Sequence, residues 1–269
     1  MRYVSSETSE RVSADGRWNG RVTRRGLPEL EVRAFSPELR ARMAGIWLMQ
    51  AATESRVARS FEIIGDSLRA LHADSGIIRL ASRAVDDEHR HAALCEELAG
   101  AYAGRPVGPH VALPHRTPEH RDVQAAVRHA LYVVGQCALN ETFASAYLSA
   151  AQVGATVPLA ASALKELTSD EIDHARVGWA FLTDMPEEMR RPMSDWILPL
   201  TVCNLREWRD IQLPKDDSLA CHGVPPQDLA RQYLNDALVG VLLPGFRHVG
   251  LDTRALEAWV RSGASTETP

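Results

Sequence analysis

Apolar residues recur at three- and four-residue intervals along most of this 269-residue chain, the period that gathers them on one face of an α-helix. Ser36-Pro37-Glu38, a capping residue followed by proline at the first helical position, opens a helix expected over about 37–73. A second helix, about 76–103, ends at Gly104-Arg105-Pro106. The stretch GRPVGPHVALPHRTPEH (104–120) is too long for a tight turn and reads as a long connection. Thr117-Pro118-Glu119 repeats the cap-plus-proline signal and predicts a third helix from there to about Val153. Gly154 to Pro158 separates it from a fourth, ending near Met185-Pro186, and further helical segments are expected at about 187–212, 226–243 and 252–262. Strand-like alternation is nowhere convincing.

Two short links around one long connection form the layout of a four-helix bundle with a crossover. The expected fold class is therefore all-α, in three parts. Residues 1–35, polar and carrying Gly16, Gly20, Gly26 and Pro28 without sustained periodicity, form an irregular N-terminal arm. Residues 36–185 form the bundle, and residues 186–269 form accessory helices packed on it.

Phase along the helices then singles out charged residues in the wrong place. The second helix carries Ile77, Leu80-Ala81, Ala84, Glu88, His91, Leu94-Cys95 and Leu98 on one stripe; the fourth carries Ala160, Leu164, Leu167, Glu171, His174, Gly178 and Phe181. Each Glu-x-x-His pair interrupts a core stripe. Asp86 and His89, one frame away, fall with Arg83 and Arg90 on the polar side and are discarded. The first helix places Glu54 in the stripe Trp47, Ala51, Ala58, Phe61, Gly65, Leu68, and the third places Glu141 among Val127, Ala130, Val134, Cys137, Ser145 and Leu148. Buried carboxylates are costly unless paired or bound to metal, so a solvated helix face is a poor account of all six. The remaining bland reading is a bundle whose buried Glu and His side chains bond only to one another.

The chemistry follows from donor type. Four glutamates carry about −4, matching two divalent ions at about +4, and an unfilled cluster would repel itself. Carboxylate and imidazole without thiolate suit iron or manganese. Two glutamates can bridge the ions while each histidine binds one. Asp87 and Asp170, immediately before the pairs, can accept the free N–H of a ligating histidine and fix its tautomer. Small neighbours (Ala51, Ala58, Ala84, Gly178) would leave room at the bundle centre.

Composition narrows the partners. A net charge of −5 implies no basic face for nucleic acid, and no apolar run reaches the roughly 18–20 residues that span a bilayer. Lysine occurs only at 165 and 215 among plentiful arginines, read as a coding bias. Cys95, Cys137, Cys203 and Cys221 form no Cys-x-x-Cys pair, and the N-terminus lacks the apolar stretch of a secretory signal, so a reduced, cytoplasmic location is expected. His110, His115 and His120 are too irregularly spaced for a second metal site and read as loop residues. His129 reads as a core-flank histidine and Arg24-Arg25 as solvating charge. Trp196, Trp208 and Phe246 are expected to pack the accessory helices.

The set Glu54, Glu88-x-x-His91, Glu141, Glu171-x-x-His174 resembles the ferritin-like di-iron carboxylate superfamily over residues 37–185. DEHRH is similar to the Asp-Glu-x-Arg-His form of its multicomponent monooxygenases and ribonucleotide reductase small subunits, whereas DEIDH departs from it at Asp173. Cys95 stands where the radical-forming reductases carry tyrosine. Ser145 is similar to the hydroxyl residue that lines the monooxygenase oxygen pocket, and as a small core residue it could equally bond a helix carbonyl. Leu167 stands where arylamine N-oxygenases add a histidine. The resemblance implies a ferritin-like bundle holding two Fe (or Fe/Mn), with O2 as co-substrate and Cys95 and Ser145 near the oxygen or substrate pocket. It implies a non-haem oxidoreductase, of monooxygenase type, acting on a small organic molecule of the secondary-metabolite kind. An external reductase or ferredoxin would supply electrons, since no flavin or nicotinamide motif is visible, and a homodimer is compatible with it. The alternative is a ferroxidase or peroxide-scavenging protein using the same centre. A metal-free scaffold acting through protein contacts is the third reading.

Overall fold

The computed structural model describes residues 34–263, so most of the expected N-terminal arm, including Arg24-Arg25, lies outside the described residues. Within them the chain is all-α, with no strand. The first helix, α1 (Pro37–Ala70), is capped by Ser36, whose hydroxyl accepts from the Leu39 amide at 3.2 Å. It ends three residues before the expected 73, where His72 turns into the left-handed region at φ 52°. Asp74 caps α2 (Ser75–Ala103) through the Gly76 amide at 2.7 Å, and Gly104, at φ 69°, closes it in the conformation that glycine adopts without a Cβ penalty.

The crossover is longer than the sequence implied. Thr117-Pro118-Glu119 starts no helix; α3 (Ala125–Val133) begins after two further left-handed residues, His120 and Asp122. A cap signal alone cannot hold a helix, because most of its stability comes from burying an amphipathic face. Residues 116–122 are almost all exposed, and the first buried side chain is Val127. The third helix is also not one α-helix. Val134–Asn140 forms a π-helical turn, after which α4 (Glu141–Gly154) resumes.

Pro158 starts α5 (Pro158–Thr183). In the packing, α1 lies against α2 and α3, and α5 lies against α2, the π turn and α4. The four long segments thus close a ring around a shared interior. Outside it, α6 (Glu187–Arg209) packs on α3 and the π turn, and α7 (Gln227–Ala237) on α4. A second π turn, Leu238–Leu242, leads into α8 (Leu243–His248), and α9 (Arg254–Arg261) packs on α6. A 3₁₀ turn, Asp217–His222, covers the end of the ring where α4 stops and α5 starts; the Thr156 and Val157 amides both donate to the Cys221 carbonyl.

The aromatic residues read as packing groups do pack. Trp208 donates from Nε1 to Asn140 Oδ1 at 3.0 Å and lies 5.4 Å from the Tyr147 ring; Phe246 lies 5.4 Å from Trp179, and Trp196 5.5 Å from His120. No helix among the described residues is long and apolar enough to cross a membrane.

Candidate metal centre

Four helices each deliver their core-phased acid to the ring interior. Glu54, Glu88, His91, Glu141, Glu171 and His174 are all buried, none more than 3 % exposed. They form two overlapping groups, each able to offer ligand atoms within 4.8 Å of one another: Glu54, Glu88, His91 and Glu171, and Glu88, Glu141, Glu171 and His174. Glu88 and Glu171 belong to both. The discarded pair, Asp86 and His89, is exposed.

The two histidines are oriented alike. Nδ1 of His91 faces Glu88 at 3.5 Å and Glu171 at 3.8 Å; Nδ1 of His174 faces Glu88 at 3.0 Å and Glu171 at 3.2 Å. Each Nε2 points the other way, toward an aspartate on the opposite helix. His91 meets Asp170 at 3.0 Å, and His174 lies 3.6 Å from Asp87. The two Asp-Glu-x-x-His motifs therefore serve each other crosswise. Arg90 ties them together, bonding Asp87 at 2.5 Å and also Asp170. Both aspartates sit below the usual carboxylate range. Burial works against this, but for Asp87 the His174 ring and Arg90 win, to about 2, and for Asp170 the His91 ring and Arg90 do the same.

Electrostatics within the cluster describe a site holding protons where cations would sit. Burial and the neighbouring Glu88 carboxylate push Glu54 up to about 8, and burial with Glu171 pushes Glu141 well up. Glu171 is raised by burial and Glu88. Glu88 goes the other way: burial opposes ionisation, yet the imidazoles of His174 and His91 hold it at about 2. Burial would lower His91, but Asp170 and Glu88 raise it to about 11; His174 is raised likewise by Asp87, Glu171 and Glu88.

Whether metal fits can be judged from atoms left unsatisfied. Both carboxylate oxygens of Glu88 and Nδ1 of His91 are fully buried without a hydrogen-bond partner, although native interiors pair nearly all such atoms. The imidazole Nδ1 atoms of His174 and His91 lie 3.0 and 3.5 Å from Glu88 and attract it by charge. A buried polar atom left without a hydrogen bond is costly, and carboxylate oxygens and an imidazole nitrogen converging on one point are the geometry a cation relieves. Four carboxylates and two imidazoles with no thiolate in the cluster suit iron or manganese. These residues fit a pair of such ions.

Two glutamines complete the surroundings. Gln50 Nε2 donates to Glu54 Oε1 at 2.5 Å, and Gln136 Nε2 donates to Glu141 Oε1 at 2.5 Å. Neither they nor the clamping role of Arg90 was read from the sequence. Gln50 precedes Glu54 by four residues, so ordinary helical spacing could have found it. Gln136 precedes Glu141 by five, a spacing that shares a face only in a π turn. Arg90 is correctly placed on the polar side by phase, but its long side chain reaches back over buried Asp87 and partly buried Asp170.

Other expected site residues take smaller roles. Cys95 is fully buried, and burial together with Glu54, Glu88 and Glu171 raises its thiol well above the usual range, so it stays protonated beside the cluster. Ser145 is half-buried and donates to the Glu141 carbonyl at 2.8 Å, the local bond that competes with a pocket role. Phe61, fully buried, lies 5.2 Å from the His174 ring and walls that side with hydrocarbon. Gly178 leaves no room: the space its missing side chain opens is filled by backbone of the π turn. The crossover histidines go to separate partners, His110 to Glu96 at 2.8 Å and His115 to Ser60 at 3.2 Å, while His129 meets Ser67 at 3.1 Å.

No protein-family model, curated protein or solved structure matches this chain. The chain is a helical protein with a buried carboxylate–histidine cluster able to hold metal.

Proposed function

We propose that the protein is a non-haem di-metal oxidoreductase, with two iron or iron and manganese ions, that activates dioxygen to oxidise a small organic molecule. The observation that carries the reading is the pair of four-residue groups sharing Glu88 and Glu171. Such ions would supply redox chemistry and Lewis acidity. Glu54, Glu88, His91, Glu141, Glu171 and His174 would hold them, Glu88 and Glu171 being the two residues common to both groups.

The rest follows from this chain's own groups. With Nδ1 turned to a metal, each imidazole would be neutral and keep its proton on Nε2, where His91 would donate it to Asp170 and His174 would turn it toward Asp87. Arg90 neutralises the two aspartates and keeps them aimed. Gln50 and Gln136 favour the ionised form of Glu54 and Glu141 by donating to it. Phe61, buried Cys95 and the apolar stripes around them keep water from the interior. Electrons would come from a separate reductase or ferredoxin.

Metal analysis of the protein produced in iron-replete medium tests the reading. It expects about two ions per chain, and fewer than about one would sink it. Organic-substrate oxidation under oxygen then separates it from a ferroxidase or peroxide scavenger, which would consume ferrous ion or peroxide with no organic product.

A further inference from the structure

Glu54 and Glu141 approach the cluster from opposite sides, but only Glu141 follows a break in helical geometry. The π turn Val134–Asn140 ends at the residue before Glu141. On its inner side it touches α5 at Gly178, one turn beyond His174. A Cβ at Gly178 would lie 2.3 Å from the Ala138 nitrogen, 2.7 Å from the Cys137 carbonyl carbon and 2.8 Å from Ala138 Cα. All three are backbone atoms, so no side chain can swing away. One element must retreat by about 1 Å, since interiors are packed without slack. The outer side of the turn is held by α6, where Leu200 covers Gly135 and Trp208 donates to Asn140.

We propose that Gly178 is a positioning residue: its missing side chain seats the π turn against α5 and so sets the register of Glu141 and its partner Gln136. The inference rests on the two-ion reading above. It assigns the effect to one half of the site. α5 is tied to α2 by the His91–Asp170 and Arg90–Asp170 contacts, so under a Gly178 side chain the π turn is the element that yields. Glu54 and Gln50 sit on α1, away from that contact. The contact of Gln136 with Glu141 exists only while the turn holds its shape, because in a regular α-helix residues five apart point about 140° away from each other.

Manganese(II) titration of the metal-free protein, followed by electron paramagnetic resonance, tests this. The wild-type protein should bind two ions and show an exchange-coupled signal. A folded Gly178→Ala protein should keep the first ion and bind the second at least about tenfold more weakly, giving the six-line signal of an isolated ion. Gly45→Ala, whose added Cβ meets nothing within 4 Å, should behave as wild type. A folded Gly178→Ala with an unchanged coupled signal, or with both ions weakened equally, overturns the proposal. Should circular dichroism show that Gly178→Ala has lost its helices, Gln136→Leu decides. Selective weakening of the second ion by about tenfold supports the π-turn register, and an unchanged pair overturns it. A wild-type protein that binds no ion pair would instead defeat the function reading itself.

Discussion

Glu54 and Glu141 hold mirror positions in the cluster and reach them over different backbones. Glu54 stands on an unbroken α-helix with its glutamine one turn before it. Glu141 follows a π turn, with its glutamine five residues before it and the same 2.5 Å amide contact. One half therefore depends only on regular helix geometry, while the other depends on an inserted residue, a glycine on α5 and the outer support of α6. The π turn is the half that packing can disturb, and the α1 half is the one whose backbone is regular throughout.

The largest way to erase this difference is to remove what both halves share. Glu88→Ala takes away a carboxylate common to both groups, and metal analysis should show loss of both ions, from about two per chain toward none. Glu54→Ala and Glu141→Ala should each leave about one ion, in opposite halves. If Glu88→Ala retained a full complement, the shared-ligand geometry would be wrong.

A smaller effect comes from the crossed aspartates. Asp170→Asn should weaken the ion beside His91, and Asp87→Asn the ion beside His174, each by roughly 10–100-fold. The Asp170 change should be the greater, because its contact with His91 is 3.0 Å against 3.6 Å for Asp87 and His174. Equal weakening of both ions by either variant would show that Arg90 couples the halves more strongly than the imidazoles separate them.

The smallest effect is on the metal-free protein and concerns pH. Glu54 is raised from 4.5 to about 8 and His91 from 6.5 to about 11. Both bind protons in the folded state that the unfolded chain has released, so stability falls as pH rises through these windows. Glu88, lowered from 4.5 to about 2, has the opposite sign, and its contribution is lost as pH falls below 4.5. Thermal melts should show the metal-free protein losing stability from pH 5 to pH 9, by several degrees, with a flatter profile once manganese has replaced the protons. A metal-free melting temperature that rose across that range would contradict the arrangement of protons described here.

Much of the site was legible because buried charge in helical phase is a rare pattern. All six cluster residues and the exposure of His89 follow from counting threes and fours, and the two aspartates from their place immediately before the Glu-x-x-His pairs. The start of α3 was not legible, since Thr117-Pro118-Glu119 is a sound local cap with no apolar face behind it before Val127. Nor was the π turn. Val133, Val134, Cys137, Ala138 and Leu139 are all buried, and buried apolar residues so closely spaced conceal one extra residue from any periodicity.

Residue type and spacing alone determined that this chain is helical and carries four acids and two histidines on faces that must be buried. Helix period and the cost of buried charge act locally, within one segment at a time. Tertiary structure alone decided which aspartate serves which histidine, that Arg90 spans both motifs, and that Gly178 is occupied by a neighbour's backbone rather than left as space. Those depend on distances between segments far apart in the chain, which no local pattern encodes.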